Sequence, residues 1–296
     1  MIKIQSQKKD DIQEFKSIDT SIDLFDLKLK NPLILASGIL GVSLESLMQI
    51  LKDGAGAVVS KSIGFKPKEG YVNPIVIEPM ENVFLNAVGL PNPGYKKFIE
   101  KIQEYNIDFS KTPLIISVWG GNEEEFNTIV GNLQDINVKI FELNISCPHS
   151  DPKSRKLIIG QMPDKTEIIL KELKKIKKKD SKFIIKLSPN VTDITEFVKI
   201  AVSNGIDGIT AINTVQALEV DPYLEMPVLA NYFGGQSGPS IRCIAQKKLA
   251  DIILYLRKIN KANIPVIGVG GIRNAEDVMR FLLLGVQCVQ IGSAMA

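Results

Sequence analysis

Short apolar runs alternate with longer amphipathic stretches along most of the chain. The run at residues 138–145, VKIFELNI, is continuous and rich in β-branched residues, which is typical of a buried parallel strand. Seven more runs of this kind predict strands, and segments with helical spacing separate the eight strands in seven places. The predicted strands are residues 33–36, 57–60, 113–118, 138–145, 183–187, 208–212, 265–269 and 288–291.

Capping residues and glycines mark the predicted helix boundaries. The pairs Asp164/Glu167 and Asp193/Glu196 have the spacing of a capping box, which satisfies free N–H groups in the first helical turn. The first pair predicts a helix that runs to about residue 179. Other starts and stops are indicated by Ser43 with Gly54, by Gly205, and by Asn274 with Gly285.

Eight alternating strand and helix units predict an α/β fold of the (β/α)8 TIM-barrel type. The alternative is an open doubly wound sheet, which usually carries GxGxxG after its first strand, whereas residues 36–41 read ASGILG. Residues 18–31 predict short antiparallel strands, and insertions rich in glycine and proline follow the second and sixth strands. We therefore expect residues 1–296 to form a single domain with insertions at the carboxyl face of the barrel.

Composition and charge narrow the choice of partners. The 296 residues are 45% hydrophobic and 23% charged, with a formal net charge of +3, which describes an ordinary globular chain. The lysine-rich stretch 171–179 is best interpreted as the solvated face of a helix. Neither nucleic acid nor an anionic membrane surface is predicted as a partner.

Cysteine usage and hydropathy predict a cytoplasmic protein. Three cysteines without a CxxC pair, and a single histidine, exclude a zinc or iron–sulfur cluster built from this chain alone. An odd cysteine count without a signal peptide fits a reducing compartment. Since no run of about 18 apolar residues occurs, a membrane span is not predicted.

Most residues at the ends of the predicted strands are polar or small. The carboxyl ends of barrel strands are where TIM-barrel enzymes carry their functional groups, so this recurrence predicts an active site there. The residues concerned are Ser37, Gly38, Lys61, Ser117, Asn144, Cys147, Lys186, Asn213, Thr214, Gly270, Gly271, Gly292 and Ser293.

Glycine pairs after the last two strands indicate a phosphate site. Gly270-Gly271 and Gly292-Ser293 follow the seventh and eighth strands, where backbone N–H groups of many barrels converge on a phosphate. The alternative is that these glycines only permit tight turns that need a positive φ. Their occurrence in both turns favours the phosphate interpretation.

Two lysines and one cysteine leave several chemistries open. Lys61 and Lys186 could form a Schiff base, pair with a carboxylate or stabilise an anionic cofactor, although a lysine in so lysine-rich a chain is more often a solvated rim residue. Cys147 could be a buried structural thiol, a nucleophile or a general base, with His149 as the only imidazole available. Base and nucleophile remain equally supported by chemistry alone, whereas Cys288 inside the eighth strand is expected to be buried and inert.

Longer motifs resemble a known family. NAVGLPNPG at residues 86–94, NISCP at 144–148, KLSPNVTDI at 186–194, and GVGGI with IGSAM near the end resemble class 1 dihydroorotate dehydrogenases. The motifs stand in the family's order from about residue 31 to residue 295. KLSPNVTDI, INT at 212–214 and GGQSGP at 234–239 are more similar to the 1B branch than to the fumarate-using 1A branch.

The resemblance implies an FMN-containing barrel that oxidises dihydroorotate to orotate in pyrimidine synthesis. It implies that Cys147 removes the C5 proton as general base while hydride leaves C6 for the flavin. The implied substrate-binding positions are Lys61, Asn86, Val88, Gly89, Leu90, Asn144, Asn213 and Thr214. The implied flavin positions are Ala36, Ser37, Gly38, Lys61, Ser62, Ser117, Asn144, Lys186, Ile212 and Gly238, with Gly270, Gly271, Gly292 and Ser293 around the phosphate.

The resemblance also implies a partner protein. In the 1B branch, electrons leave through a separate subunit that carries FAD and a [2Fe–2S] cluster and passes them to NAD. The lack of a cluster motif in this chain is consistent with that division of labour. A homodimer or a heterotetramer with such a subunit is the implied assembly.

Two features depart from the family pattern. His149 stands where class 1 enzymes typically have asparagine, and CPH is similar to the pyrimidine-reducing domain of dihydropyrimidine dehydrogenases. The loop at residues 150–164 lacks the family's usual Gly-Gly and is interpreted as a lid. An enzyme acting on uracil or thymine therefore remains an alternative, and a Schiff-base lyase using Lys61 or Lys186 is a more distant one.

Overall fold

The computed structural model describes residues 18–41, 43–146 and 158–295. In chain order, its strands are β1 (Ile22–Leu24), β2 (Leu27–Leu29), β3 (Leu33–Leu35), β4 (Ala57–Val59), β5 (Val76–Met80), β6 (Val83–Asn86), β7 (Leu114–Val118), β8 (Ile140–Asn144), β9 (Lys182–Leu187), β10 (Gly208–Ala211), β11 (Val215–Ala217), β12 (Val220–Asp221), β13 (Met226–Pro227), β14 (Gly234–Ser237), β15 (Val266–Val269) and β16 (Cys288–Ile291). Its α-helices are α1 (Leu44–Asp53), α2 (Tyr95–Tyr105), α3 (Glu123–Asp135), α4 (Pro163–Ile176), α5 (Ile194–Ser203), α6 (Arg242–Lys258) and α7 (Ala275–Leu284).

Eight of these strands close into a parallel barrel, which confirms the predicted fold. Their order around the barrel is β3, β4, β7, β8, β9, β10, β15 and β16, and β16 pairs back with β3 through Gln290 and Ile34. One α-helix lies between each consecutive pair of barrel strands along the chain. The apolar outer faces of the strands pack against these helices in one continuous core.

Three helices begin at a capping residue as the pattern predicted. Ser43 accepts a hydrogen bond from the Ser46 N–H, Asn274 does so from the Asp277 N–H, and Asp193 caps α5. The Asp193 carboxylate accepts from the N–H of Thr195, two residues on, rather than from that of Glu196, so Asp193 is confirmed as the N-cap but the capping box predicted with Glu196 is wrong.

The capping box predicted at Asp164 and Glu167 is wrong. Helix α4 begins at Pro163, with Met162 as its N-cap and no side-chain cap hydrogen bond. Proline suits the first helical position because its φ is already helical and it has no N–H to satisfy, so it moves the start upstream of Asp164. The helix ends at Ile176, short of the predicted residue 179.

The two insertions combine into one antiparallel sheet at the carboxyl end of the barrel. Its strand order is β11, β14, β6 and β5, and Asn86 of β6 is the pairing partner of Gly235 in β14. The insertion after β4 thus contributes β5 and β6, and the insertion after β10 contributes β11 and β14. The sheet places both insertions beside the ends of the barrel strands.

The N-terminal hairpin lies at the opposite end of the barrel. Strands β1 and β2 pair antiparallel, as predicted for residues 18–31. Leu24 and Leu29 pack with the inward-facing Ile34, Ile115 and other residues of the barrel's lower interior. Asp26 of the hairpin pairs with Lys182 at the start of β9, over 3.2 Å. No described helix is long and apolar enough to cross a membrane.

Candidate active site

A chain of side-chain hydrogen bonds crosses the mouth of the barrel. Asn213 Nδ2 donates to Asn144 Oδ1 over 3.3 Å, and Asn144 Nδ2 donates to Ser62 Oγ over 3.0 Å. Ser62 Oγ lies 2.9 Å from Ser117 Oγ and 3.5 Å from Ser37 Oγ. The five residues come from the ends of five different barrel strands, so the closed barrel brings together groups that the sequence separates widely.

Burial holds this chain in place. Ser62 and Ser117 are 3% and 0% exposed, and Asn144 is also buried. A buried amide or hydroxyl is costly unless it is hydrogen-bonded, so each member constrains the orientation of the next. Asn144 Oδ1 also accepts from the N–H of Ser146, which fixes the first residues beyond the strand. The mouth therefore presents preset amide and hydroxyl groups.

Beneath the mouth, three charged and polar side chains form a closed ring. Lys186 Nζ donates to Glu142 Oε1 over 3.3 Å and to Gln290 Oε1 over 3.1 Å, and Gln290 Nε2 donates to Glu142 Oε2 over 2.6 Å. Lys186 was predicted from the sequence, whereas Glu142 and Gln290 were not. Both lie inside apolar runs. The sequence of such a run does not show whether a single polar side chain points into the barrel or toward the surrounding helices.

Lys61 lies at the same mouth as an incompletely buried cation. Burial lowers the pKa of its ammonium group below the ordinary lysine value. Its backbone N–H donates to Gly41 O, but no ion pair or hydrogen bond of the described residues engages its Nζ. An anionic group of a ligand would therefore stabilise the charge of Lys61.

The turns after the last two barrel strands line a pocket. Gly271 and Ser293 border it together with Gly238, which comes from the insertion after β10. The glycine turns predicted a phosphate site at Gly271 and Ser293, the family resemblance added Gly238 as a flavin position, and the fold brings the three residues together. The pocket wall also includes Arg273 and Asn82, which sequence reasoning missed. Arg273 could have been suspected as a cation beside a glycine turn.

The glycines of this pocket are required by close backbone approach. A Cβ on Gly271, whose φ is +74°, would lie 2.9 Å from the backbone N of Arg242. A Cβ on Gly238, whose φ is +95°, would lie 2.0 Å from Asn82 O. Side chains are excluded at both positions, which leaves the backbone accessible from the pocket.

Other predicted flavin positions adjoin the same turns. A Cβ on Gly270 would lie 3.4 Å from Ile212 Cγ1, and one on Gly292 would lie 3.6 Å from the Cβ of Ala36. Gly38 has a φ of +98° and open space where a side chain would be. These five residues thus lie at the carboxyl ends of four barrel strands, β3, β10, β15 and β16.

The insertion sheet holds two of the predicted substrate positions. Asn86 Nδ2 donates to Gly235 O over 3.0 Å. Thr214 packs so closely on Gly235 that a Cβ there would lie 2.1 Å from Thr214 Oγ1. The N–H of Thr214 donates to Asn213 Oδ1, which connects this group to the hydrogen-bond chain. Asn190, which was not predicted, donates to the Thr214 carbonyl oxygen over 3.1 Å.

The loop at residues 88–90 is held by other contacts. The Val88 carbonyl oxygen accepts from the N–H of Tyr71, and the Leu90 carbonyl oxygen accepts from Asn92 Nδ2. A Cβ on Gly89 would lie 2.8 Å from the Tyr71 ring. No hydrogen bond within the described ranges joins residues 88–90 to Asn144 or Asn213, so their part in substrate binding stays a prediction.

The two residues with the least settled roles, Cys147 and His149, lie outside the described residues. The description ends at Ser146, whose buried hydroxyl has no hydrogen-bond partner among the described residues. The lid predicted at residues 150–164 is described only from residue 158 onward. Cys288 is fully buried, as expected for a structural cysteine, and burial raises its pKa to about 12.

Fold and site together define a class of protein. A closed (β/α)8 barrel has a glycine-lined pocket beside its last two strands and a polar mouth next to it, which is the arrangement of barrel enzymes that bind a phosphorylated ligand. The family model described as Dihydroorotate dehydrogenase matches residues 20–296. The chain belongs to the dihydroorotate dehydrogenase family.

Individual relatives agree with the family match. The chain is 43% identical over 273 residues to the "Dihydroorotate dehydrogenase B (NAD(+)), catalytic subunit" of Pyrococcus abyssi, covering 92% of this chain and 86% of that protein. The protein of the same name from Pyrococcus furiosus is 44% identical with the same coverage. That from Methanocaldococcus jannaschii is 42% identical over 90% of this chain and 84% of its own length.

Proposed function

We propose that this chain is the catalytic subunit of an FMN-dependent dihydroorotate dehydrogenase, which oxidises dihydroorotate to orotate in pyrimidine synthesis. The observation that carries the proposal is the hydrogen-bond chain from Asn213 through Asn144 to Ser117, which lies beside the glycine-lined pocket. Names of relatives in three archaeal species support the same activity.

The residues fit FMN at two points. Gly238 and Gly271 leave no room for a side chain, so their backbone could approach a phosphate closely, with Ser293 as a further donor. Lys186 supplies a buried cation beneath the mouth. When bound, FMN supplies the acceptor for the hydride that leaves the substrate. Other implied flavin positions, Ala36 to Gly38 and Ile212 among them, lie directly after strands β3 and β10 at the same end of the barrel.

The polar mouth suits a planar, carboxylate-bearing pyrimidine. Asn144 and Asn213 provide amide donors and acceptors for ring N–H and C=O groups, and their mutual hydrogen bond sets their orientation. The ammonium of Lys61, which has no partner among the described residues, suits the substrate carboxylate. Uracil and thymine have no carboxylate, so Lys61 favours dihydroorotate over the alternative substrates.

Cys147 is proposed as the base that takes the C5 proton. The preceding residues are fixed, since Asn144 Oδ1 accepts from the Ser146 N–H over 3.1 Å. A Schiff-base lyase that uses Lys186 is less well supported, because Lys186 donates to a carboxylate and an amide inside the barrel and is not available as a free amine. His149 is expected to bind the loop backbone rather than the substrate.

Anaerobic bleaching of the bound flavin tests the proposal. Dihydroorotate, but not dihydrouracil, is expected to bleach the yellow colour of the purified flavin-loaded protein. Cys147→Ala should still bind FMN and orotate but bleach at least about a hundredfold more slowly near neutral pH, the usual loss when a general base is removed.

The exposed Cys243 provides the matched control, because Cys243→Ala removes a solvent-exposed thiol at the start of helix α6. That variant should bleach at the wild-type rate. A colourless protein that does not take up added FMN would refute the flavin, bleaching by dihydrouracil would indicate the alternative substrate, and wild-type rates in Cys147→Ala would place the base elsewhere.

The assembly is part of the proposal. The relatives are named as catalytic subunits of an enzyme with NAD(+) in its name, which supports a second subunit that carries FAD and a [2Fe–2S] cluster and reduces NAD. No group of metal-ligating side chains among the described residues could hold a metal ion or cluster. We propose one FMN-binding domain over residues 1–296, working in the cytoplasm within a homodimer or a heterotetramer.

A further inference from the structure

The ring formed by Glu142, Lys186 and Gln290 is not explained by substrate binding or by the phosphate pocket. Glu142 is 0% exposed, Gln290 is 1% exposed and the Lys186 side chain is 7% exposed. A buried ion pair is seldom a gain in stability over well-packed apolar residues, because desolvation of both charges offsets their attraction. Apolar side chains alone could fill the barrel interior at this level. Just below the ring, the interior is in fact filled by apolar side chains.

The position of the ring suggests its purpose. Lys186 pairs in register with Asn144, which belongs to the polar mouth, whereas Glu142 pairs with Ile184 in the apolar lower interior. Gln290 belongs to β16, four strands away from Glu142 in the circular strand order. The ring therefore spans the barrel and forms a polar floor between the mouth and the apolar interior.

The hydrogen bonds within the ring engage most of the donors and acceptors of its three side chains. An ammonium group has three N–H donors, and Lys186 uses two of them on Glu142 and Gln290. Both carboxylate oxygens of Glu142 are engaged, one by Lys186 and one by Gln290. The hydrogen bond from Gln290 to Glu142 orients the Gln290 amide with its oxygen toward the lysine. Within the described ranges the third N–H of Lys186 has no partner, so one donor remains for a ligand, while the ring has no net charge.

We propose that Glu142 and Gln290 are positioning residues that hold the Lys186 ammonium beneath the bound flavin and set the net charge there to zero. This inference rests on the proposed FMN function. Glu142 neutralises the cation and Gln290 fixes its place across the barrel. Together they determine how strongly the site favours negative charge on the flavin.

Sulfite binding to the flavin-loaded protein tests the charge directly. Sulfite adds to flavin N5 without any electron acceptor, and the electron pair of the flavin moves to its pyrimidine edge, so added positive charge nearby tightens the adduct. Glu142→Gln should lower the sulfite dissociation constant by about tenfold or more at pH 6.5, because one negative charge is removed from a poorly screened interior. The midpoint potential of the flavin should rise in the same variant.

Two further variants separate charge from packing. The double variant Glu142→Gln with Gln290→Glu moves the carboxylate to the other side of Lys186 and should restore the sulfite constant to within about threefold of wild type. Ile184→Val trims an apolar neighbour of Glu142 in the same interior and serves as the matched control, with no expected change. Gln290→Met keeps both charges and should weaken FMN binding to the apoprotein about tenfold, the usual effect of losing a hydrogen bond to a charged group.

The outcomes distinguish this inference from the proposed function. If the wild-type protein takes up no flavin, the function itself fails. If flavin and sulfite bind to wild type and Glu142→Gln has the same sulfite constant, Glu142 does not set the charge. If Glu142→Gln does not fold, the double variant and Gln290→Met decide. A sulfite dissociation constant of the double variant more than tenfold from the wild-type value would overturn the inference. Unchanged FMN affinity in Gln290→Met would also overturn it.

Discussion

At the scale of single residues, Lys61 makes the proposed substrate binding depend on pH. Burial lowers its pKa, so the ligand-free protein loses this positive charge at a pH below the ordinary lysine value of about 10.4. The orotate dissociation constant is therefore expected to increase as the pH rises through the lowered pKa of Lys61. Lys61→Met should weaken orotate binding by about 10- to 100-fold at neutral pH and abolish the dependence, as measured by flavin absorbance titration.

The same lowered pKa has an opposite consequence for the ligand-free fold. Above the native pKa of Lys61, the unfolded chain binds more protons than the native one, so the contribution of Lys61 to stability increases with pH until the unfolded lysine also titrates.

Lys66→Met replaces an exposed lysine of the following loop. It is the control for the orotate-binding prediction and should leave orotate binding unchanged. Orotate affinity that stays constant up to the ordinary lysine pKa would contradict the role of Lys61.

Single residues also show how far sequence reasoning reaches. Asn144, Ser117 and Asn213 lie at or near the carboxyl ends of apolar runs, and the parallel alignment of the strands was enough to predict that they meet. Glu142 and Gln290 lie inside such runs, and the direction of a side chain there depends on strand register, which the pattern does not contain. Their partnership with Lys186 exists only once the barrel has closed.

At the scale of elements, the two glycine turns of the pocket are expected to respond differently to a methyl group. Gly271→Ala forces an l-residue to a φ of +74° with its Cβ 2.8 Å from that of Arg242. It should lower the free energy of unfolding of the apoprotein by about 1–3 kcal/mol. In Gly292→Ala, the new methyl group would contact only the Cβ of Ala36, at 3.6 Å. This variant should change the free energy of unfolding by less than about 1 kcal/mol.

Urea unfolding of the two apoproteins measures this difference, and FMN titration measures its consequence. Arg242 is held by the buried carboxylate of Asp277 over 2.5 Å, and Asp277 also accepts from the Arg273 N–H. The backbone around Gly271 therefore has little freedom to move aside. In Gly271→Ala, the affinity for FMN should decrease together with the free energy of unfolding. Equal losses in both variants would show that the turn after β15 is not the more rigid one.

Elements differ in how well the sequence predicted them. The strand and helix alternation depends on local periodicity and was right for all eight barrel strands. The capping box at Asp164 failed because Pro163, one residue earlier, starts the helix better. The insertion sheet could not be predicted because its pairing of β6 with β14 joins segments 149 residues apart, as in the bond from Asn86 to Gly235.

At the scale of the whole molecule, the barrel interior is divided into an upper polar part and a lower apolar part. The polar part holds the proposed chemistry, and the buried charges of Glu142 and Lys186 make it costly. The apolar part, which includes Ile115 and Ile267, offsets that cost and ends at the N-terminal hairpin. We infer that the two ends of the barrel separate activity from stability, as is general for TIM-barrel enzymes.

The hairpin provides a test of that division. Leu29 is 1% exposed and packs with Leu24 and the lower interior residues, so Leu29→Ala would leave a cavity at the closed end of the barrel. It should lower the free energy of unfolding by about 2–5 kcal/mol in urea, the usual range for a buried leucine. FMN and orotate affinities should stay within about twofold of wild type, because both proposed sites are at the other end. Ile18→Ala, at a residue 58% exposed, should change neither quantity. A stability loss below about 1 kcal/mol would mean that the hairpin does not seal the barrel, and weakened FMN binding at full stability would mean that the two ends are coupled.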